Sequence, residues 1–268
     1  EIKTEVVHLH LTPGLGIILV GENPSSEHYV ELKKKRAEKL GFYVQIIKLP
    51  TQTTQIELEA EINKLNSDLA IHGIIVQLPL PAHLDANTAI SKINPKKDAD
   101  GLHPLNIGNL AKGILTRTPA TPAGIIRLLE HAHINFEGAQ AVVVGRSNIV
   151  GKPAGLMLMA KNATVTICHS KTQNLAEHTR RADILVVAVG KPGLITAEMV
   201  KDGACIIDVG STLVNGQWLG DVDHQNLEQK PGWITPVPGG VGPMTVAMLL
   251  KNTLELAKNL SSSHPVRH

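Results

Sequence analysis

Seven short aliphatic runs alternate with segments of helical period along this chain, and that alternation most constrains how it can fold. The runs are Leu15–Val20, Val44–Leu49, Gly73–Gln77, Ala141–Val144, Thr164–Cys168, Ile184–Val189 and Ala204–Val209. The helical segments are Ser25–Leu40, Gln55–Asn66, Thr121–His131, Lys152–Met159 and Gly242–Leu260. Strands that alternate with helices predict an α/β fold built on parallel sheets. Aromatic residues make up only 2% of the chain, so its core is aliphatic, which suits a parallel sheet buried on both faces. Ser25 or Ser26 is expected to cap the first long helix and Gly41 to end it, while Pro122 suits the opening turn of its helix.

A length of 268 residues fits one large domain or two small ones. The stretch from Pro95 to Pro119 is rich in turn residues (Asp98, Asp100, Gly101, Pro104, Gly108, Gly113) and reads as an irregular connection. A domain boundary is therefore expected near Pro119–Thr121. It gives a first domain over 1–120, a second over 121–242, a last helix over about 243–260 that crosses back to the first, and a polar tail over 261–268.

Twenty-six basic against 24 acidic residues leave a net charge of +2, which implies no nucleic-acid partner. No apolar run nears the roughly 18 residues that would span a membrane. Two cysteines, Cys168 and Cys205, make no disulfide framework and favour a reducing compartment, with the cytoplasm expected. The chain starts at Glu1 without Met, so a mitochondrial matrix location stays open. Thirteen histidines invite a metal, but His8/His10 and His131/His133 lack metal-ligand spacing. Ser147 stands in no G-x-S-x-G elbow, which disfavours a hydrolase triad.

The run Ala141–Val144 leads into Gly145-Arg146-Ser147-Asn148-Ile149-Val150-Gly151 and then a helix. Such a strand, glycine turn and helix present backbone N–H groups to a pyrophosphate, although a plain structural turn has the same residues. Ser147 occupies the second glycine position of the G-x-G-x-x-G pattern. Where an NAD site carries a carboxylate for the ribose, the run ending at Cys168 is followed by His169, Ser170, Lys171 and Thr172. A hydroxyl and a cation there, with Arg146 nearby, favour the 2′-phosphate of NADP over NAD.

In the other half, Tyr29 and Lys33 are spaced to share one helix face. By itself an ordinary amphipathic helix ending in Lys33-Lys34-Lys35-Arg36 is the better explanation of that pair, and a simple turn can account for Lys97-Asp98-Ala99-Asp100-Gly101. Their combination is more specific. Tyr29-x-x-x-Lys33, Val76-Gln77-Leu78-Pro79, Lys97-Asp98-Ala99-Asp100-Gly101, Pro119-Ala120-Thr121-Pro122, Gly145-Arg146-Ser147 and Thr235-Pro236-Val237-Pro238-Gly239-Gly240-Val241-Gly242-Pro243-Met244-Thr245 follow in one order. From Gly14 to about Leu260 the chain resembles the bifunctional methylenetetrahydrofolate dehydrogenase/cyclohydrolase family.

The resemblance implies a substrate domain, a Rossmann-like NADP domain and a cleft between them, in a subunit that dimerises through the nucleotide domain. It implies tetrahydrofolate derivatives as substrates, oxidised at the methylene bridge and then hydrolysed to 10-formyltetrahydrofolate. By resemblance Lys33 is the catalytic lysine, Tyr29 lies beside the folate, Gln77 hydrogen-bonds the lysine and Asp100 anchors the pterin. Val76, Leu78, Pro238, Gly239, Gly240, Val241 and Gly242 are the implied substrate contacts. Gly145, Arg146, Ser147, Ser170 and Ser211 are the implied cofactor contacts, with Ser211 a departure, since relatives commonly carry Ile or Thr there. Lys34, Lys35 and Arg36, together with burial and a cationic substrate, are expected to lower the pKa of Lys33. Whether Lys33 acts neutral as a base or charged as a polarising group stays open at this level.

Overall fold

Every expected aliphatic run forms a strand, and the strands of both main sheets run parallel. The computed structural model describes residues 1–227 and 232–262, and within it the chain divides into two compact units. One comprises Glu1–Gly108 with Leu249–His268, the other Asn109–Met248.

The first unit contains α1 (Ile2–His8), β1 (Gly14–Val20), α2 (Pro24–Lys39), β2 (Tyr43–Leu49), α3 (Gln55–Ser67), β3 (Gly73–Val76) and α4 (Ala86–Lys92). Its sheet has the order β2-β1-β3, and β1 is buried along all seven residues. Leu58, Ile62 and Leu65 line one face of α3 at helical spacing and pack on Ile18, Val20, Ile74 and Val76. A capping box between Thr54 and Glu57 starts that helix.

The cap of α2 is not Ser25 or Ser26. Asn23 holds that position, its side chain accepting from the Ser26 N–H at 3.0 Å, because Pro24 at the first helical position has no N–H and suits the fixed φ. Gly41 ends the helix as expected, with φ 88°.

The stretch from Pro95 to Pro119 is not wholly irregular, since it contains α5 (Pro104–Ala111). Pro104 supplies the helix start, and the buried Leu110 packs into the core of the second unit. The two units divide inside α5, earlier than Pro119, and again inside the last helix.

The second unit continues with α6 (Ala120–His131), β4 (Gln140–Val144), α7 (Gly151–Ala160), β5 (Thr164–Cys168), α8 (Leu175–Thr179) and β6 (Ile184–Val187). There follow β7 (Cys205–Asp208), the hairpin strands β8 (Thr212–Val214) and β9 (Gln217–Leu219), α9 (His224–Leu227) and β10 (Trp233–Ile234). Last comes α10 (Val241–Ser262), from which Leu249 onward belongs to the first unit. Residues 263–268 of the expected polar tail lie outside the described residues.

The sheet order is β10-β7-β6-β4-β5, so the winding reverses between β4 and β6. In a doubly wound sheet, ligands bind beyond the carboxyl ends of the strands at that reversal. Alternate residues feed two cores: Ala141 and Val143 face one, Val142 and Val144 the other. Cys168 on β5 and Cys205 on β7 are free and buried, separated by two intervening strands and so by more than about 14 Å, beyond disulfide reach. The hairpin turns on Asn215-Gly216, both at positive φ, and carries Trp218 on β9. No helix among the described residues is long and apolar enough to cross a membrane.

Gly145 follows β4 at φ 130°, and a Cβ there would stand 2.3 Å from the carbonyl oxygen of Ala188. Gly145→Ala therefore combines backbone strain with a main-chain clash and should cost at least about 2 kcal/mol. In thermal unfolding followed by circular dichroism this reads as a loss of roughly 5 °C or more.

Candidate active site

In the first unit the buried face of α2 carries Ser26, Val30, Lys33 and Ala37. This face packs toward the sheet, so Lys33, only 8% exposed, is the one charged side chain on it. Its Nζ donates to Gln77 Oε1 at 2.9 Å. Gln77 is the first residue after β3; its backbone N–H donates to the Ile18 carbonyl at 2.8 Å, and its Nε2 donates to the Leu78 carbonyl at 2.7 Å. The amide is thereby oriented with its oxygen toward the lysine, which has donors and no acceptor when charged.

Asp100 supplies the opposing charge. Burial lowers the Lys33 pKa below the ordinary lysine value, and the negative charge of Asp100 acts the other way. Burial likewise raises the Asp100 pKa, opposed by Lys33 and reinforced by Asp98. Both groups are pushed toward their neutral forms, as expected for ionisable side chains held out of water. The cations at 34–36 are not the cause. Lys34 pairs with Glu38 and Lys35 with Glu31, each at 3.9 Å along the outer side of α2.

The loop that presents Asp100 is held by its neighbours. Asp98, 1% exposed, accepts from Gly101 N at 3.0 Å, His103 N at 2.8 Å and Asn106 Nδ2 at 2.7 Å. Lys97 donates to the Leu65 and Asp68 carbonyls at the end of α3, where a cation complements the exposed carbonyls. A parallel bridge between Ile74 and Asp98 sets this loop beside β3, and Asn252 of α10 donates to the Ala99 carbonyl at 2.9 Å.

The structure thus brings Lys33, Gln77 and Asp100 together, with Tyr29 one helical turn before Lys33 and its ring edge-to-face with His28. Val76 is 4% exposed and packs in the core, so its side chain is part of the support beneath the site. Leu78 is half-buried. Pro238 to Gly242 lie in the second unit, between β10 and the first turn of α10, with Pro238 and Gly239 exposed and Gly240 and Val241 buried. Ser26, read in the sequence only as a candidate cap, has its hydroxyl buried on the Lys33 face with no hydrogen-bond partner among the described residues. The spacing Ser26, Val30, Lys33, Ala37 is the signal that finds it.

In the second unit, Val144 pairs with Cys168, so the loops after β4 and β5 emerge side by side. Arg146 and Ser170 stand exposed on those two loops. Ser147 Oγ accepts from Val150 N at 3.1 Å and Gly151 N at 3.3 Å, closing the turn into α7, which has no side-chain cap at Val150. The loop after β5 is tied by Thr172 N to the His169 carbonyl and by His169 N to Thr172 Oγ1, and it holds no carboxylate. Ser211 is exposed just before β8. No cluster of three or more His, Cys, Asp or Glu capable of holding a metal occurs among the described residues.

Fold and site together define a two-unit α/β protein with a buried lysine site in one unit and a doubly wound dinucleotide-type sheet in the other. The catalytic-domain model of tetrahydrofolate dehydrogenase/cyclohydrolase matches residues 1–100, and the NAD(P)-binding-domain model of that family matches residues 119–261. The bifunctional protein FolD of Moorella thermoacetica is 54% identical over 262 residues, covering 96% of this chain and 94% of its own. That of Bacillus cytotoxicus is 51% identical, covering 96% and 92%. Among solved structures, the Campylobacter jejuni bifunctional enzyme superposes with a TM-score of 0.92 at 45% identity, covering 96% of this chain and 92% of that one. The Trypanosoma brucei enzyme, solved with NADP cofactor and inhibitor, gives 0.92 at 42% identity with the same coverage. The chain belongs to the tetrahydrofolate dehydrogenase/cyclohydrolase family.

The charge environment of Lys33 is directly testable. Followed by the NMR shift of its ε-methylene against pH, Lys33 should titrate below the ordinary value of 10.5. Asp100→Asn removes a charge that raises this pKa, so the midpoint should move further down. A midpoint at or above the ordinary value, or an upward move in the variant, contradicts the assignment.

Proposed function

We propose that this protein oxidises 5,10-methylenetetrahydrofolate to the methenyl form with NADP and hydrolyses that product to 10-formyltetrahydrofolate. The observation that carries this reading is the buried Lys33 amine, hydrogen-bonded to Gln77 at 2.9 Å and facing the charge of Asp100, in a chain of this family. The two activities ask different things of the site, and these residues meet both.

The second unit has the features an NADP site needs. Gly145 leaves the space that a Cβ would fill against Ala188, and the glycine turn after β4 leads into the positive, N-terminal end of α7. Arg146 and Ser170 would hold the 2′-phosphate, with no carboxylate after β5 to repel it. When bound, the dinucleotide supplies the hydride acceptor.

The chain's own residues orient the folate and move protons. Asp100 accepts from the amino and ring N–H groups of the pterin, and Tyr29 lies along it. Gln77 receives an N–H from Lys33 in either protonation state, so a neutral Lys33 turns its lone pair away from the amide. As water adds to the methenyl carbon, Lys33 takes its proton. It then delivers a proton to the ring nitrogen that departs as the formyl product forms, while the proton of the carbinol hydroxyl goes to solvent. Burial makes this possible by moving the lysine toward the pH at which it can act as a base.

A homodimer formed through the second unit belongs to this reading. β5 is an edge strand there, and Ile167, Met159 and Ile149 are exposed on it and around α7. So does a cytoplasmic role in supplying formyl groups for purine biosynthesis.

Lys33→Met keeps the aliphatic stem and removes the amine. Cyclohydrolase turnover should fall about 10²–10⁴-fold, the usual worth of general acid–base help, and dehydrogenase turnover by a smaller factor. Methenyltetrahydrofolate should then accumulate, visible by its near-ultraviolet absorbance; wild-type hydrolysis by the folded variant defeats the proposal. Arg146→Ala removes a charge-assisted contact and should raise the KM for NADP about ten-fold or more, while NAD, lacking the 2′-phosphate, is affected far less. Equal losses with both cofactors would show that Arg146 does not read the 2′-phosphate.

A further inference from the structure

Two buried carboxylates in the second unit have no part in the chemistry above, and both lie at the carboxyl ends of the strands. Asp221 is 0% exposed, and its side chain accepts three consecutive backbone N–H groups. Oδ2 takes Val189 N at 2.7 Å and Gly190 N at 3.0 Å, and Oδ1 takes Lys191 N at 2.7 Å. These three residues form the loop that leaves β6. Asp208, 1% exposed at the end of β7, accepts from Gly210 N and Asp221 N at 2.9 Å through Oδ1. Its Oδ2 meets Val222 N at 3.1 Å and His224 Nε2 at 3.0 Å.

The fit is tight on every side. A Cβ at Gly210 would stand 2.5 Å from Asp221 Oδ1, and one at Gly220 would stand 1.9 Å from Asp208 Oδ2. Each carboxylate is therefore enclosed by chain that comes close only because it is glycine. Asp208 fixes the backbone of Asp221, and Asp221 fixes the loop after β6.

That loop borders the reversal of the sheet. β4 and β6 are neighbours on either side of it; Ala188 N donates to the Val144 carbonyl at 2.8 Å, and Gly145 has no room for a Cβ beside Ala188. In a doubly wound sheet the pyrophosphate sits at the turn after the first strand and the adenosine ribose at the end of the second. Here these are β4 and β5. The nicotinamide half must then run the other way, toward the end of β6.

We propose that Asp221 is a positioning residue for hydride transfer: by occupying the N–H groups of residues 189–191 it holds the loop after β6 in the shape that receives the nicotinamide half of NADP. The carboxylate is a built-in anion that keeps three donors turned inward. This rests on the reading of the second unit as the NADP site, and Asp208 serves it at one remove.

The test is Asp221→Asn in the full chain, which keeps the size but replaces one acceptor with a donor facing N–H groups. NADP dissociation constants come from calorimetric titration, dehydrogenase constants from steady-state kinetics, and cyclohydrolase activity from methenyltetrahydrofolate without NADP. The Kd and KM for NADP should rise at least about ten-fold, equivalent to 1.4 kcal/mol, and dehydrogenase kcat should fall. The folate KM and cyclohydrolase activity should change less than about two-fold, a split that general destabilisation cannot produce. An unchanged NADP Kd, or parallel loss of both activities, overturns the proposal. If wild-type protein shows no NADP-dependent oxidation, it is the function that fails, not the role of Asp221. Should Asp221→Asn fail to fold, Gly190→Ala disturbs the same loop from its solvent side, at φ 66° with no heavy atom within 4 Å of the new Cβ. It should give the same split, and an unaltered NADP Kd in that variant also overturns the proposal.

Discussion

The hydrogen bond from Lys33 to Gln77 is the contact on which the first unit depends, because it joins a helix and a strand end around a nitrogen held out of water. Burying an amine is unfavourable unless it is paired, and the surroundings show how pairing is arranged. Gln77 meets it from the end of β3, and Asp100 faces it from a loop that the Ile74–Asp98 bridge aligns with the same strand. The sheet therefore acts as a ruler: β1 leads into the helix that carries the amine, and β3 leads into the amide. A lysine on the outer side of α2, such as Lys35, experiences none of this and pairs weakly in solvent.

Both units stabilise their functional loops with the same device. A carboxylate leaves solvent and gathers backbone N–H groups that have no partner within a helix or strand. Asp98 does so beneath Asp100, and Asp208 with Asp221 does so at the ends of β6 and β7. Charged acceptors make stronger hydrogen bonds than neutral ones, so a single aspartate can specify a turn that glycines alone would leave open. An aspartate two residues from a reactive one has a second effect, since its negative charge adds to burial in raising the Asp100 pKa.

The strands were legible because aliphatic runs in a chain with few aromatics have few other folds open to them. The helix caps and minor elements were less so, for local reasons. Ser25 and Ser26 are good caps by type, but Pro24 makes Asn23 the residue whose oxygen faces free N–H groups. α5 is hidden by its Asn and Gly residues, and its start depends on Pro104. The Asn215-Gly216 turn announces the β8–β9 hairpin, yet its flanking strands are only three residues long. In the site, Lys33, Gln77 and Asp100 stand out through their motifs, and of the causes expected to lower the lysine's basicity burial is the one that acts, whereas the neighbouring cations, turned to the outer side of the helix, do not. Asp208 and Asp221 look like ordinary turn residues, and only three-dimensional packing shows how many N–H groups converge on them.

The placement of the few aromatic side chains has a spectroscopic consequence. Trp218 and Trp233 both lie in the unit formed by Asn109–Met248, whereas Tyr29 and Tyr43 lie in the other. Indole emission therefore reports on one half of the molecule alone, and phenol emission on its counterpart. Along a denaturant gradient, the two signals will coincide only if the halves lose structure together, so the intact chain carries its own pair of optical labels for asking whether it melts as one body or two.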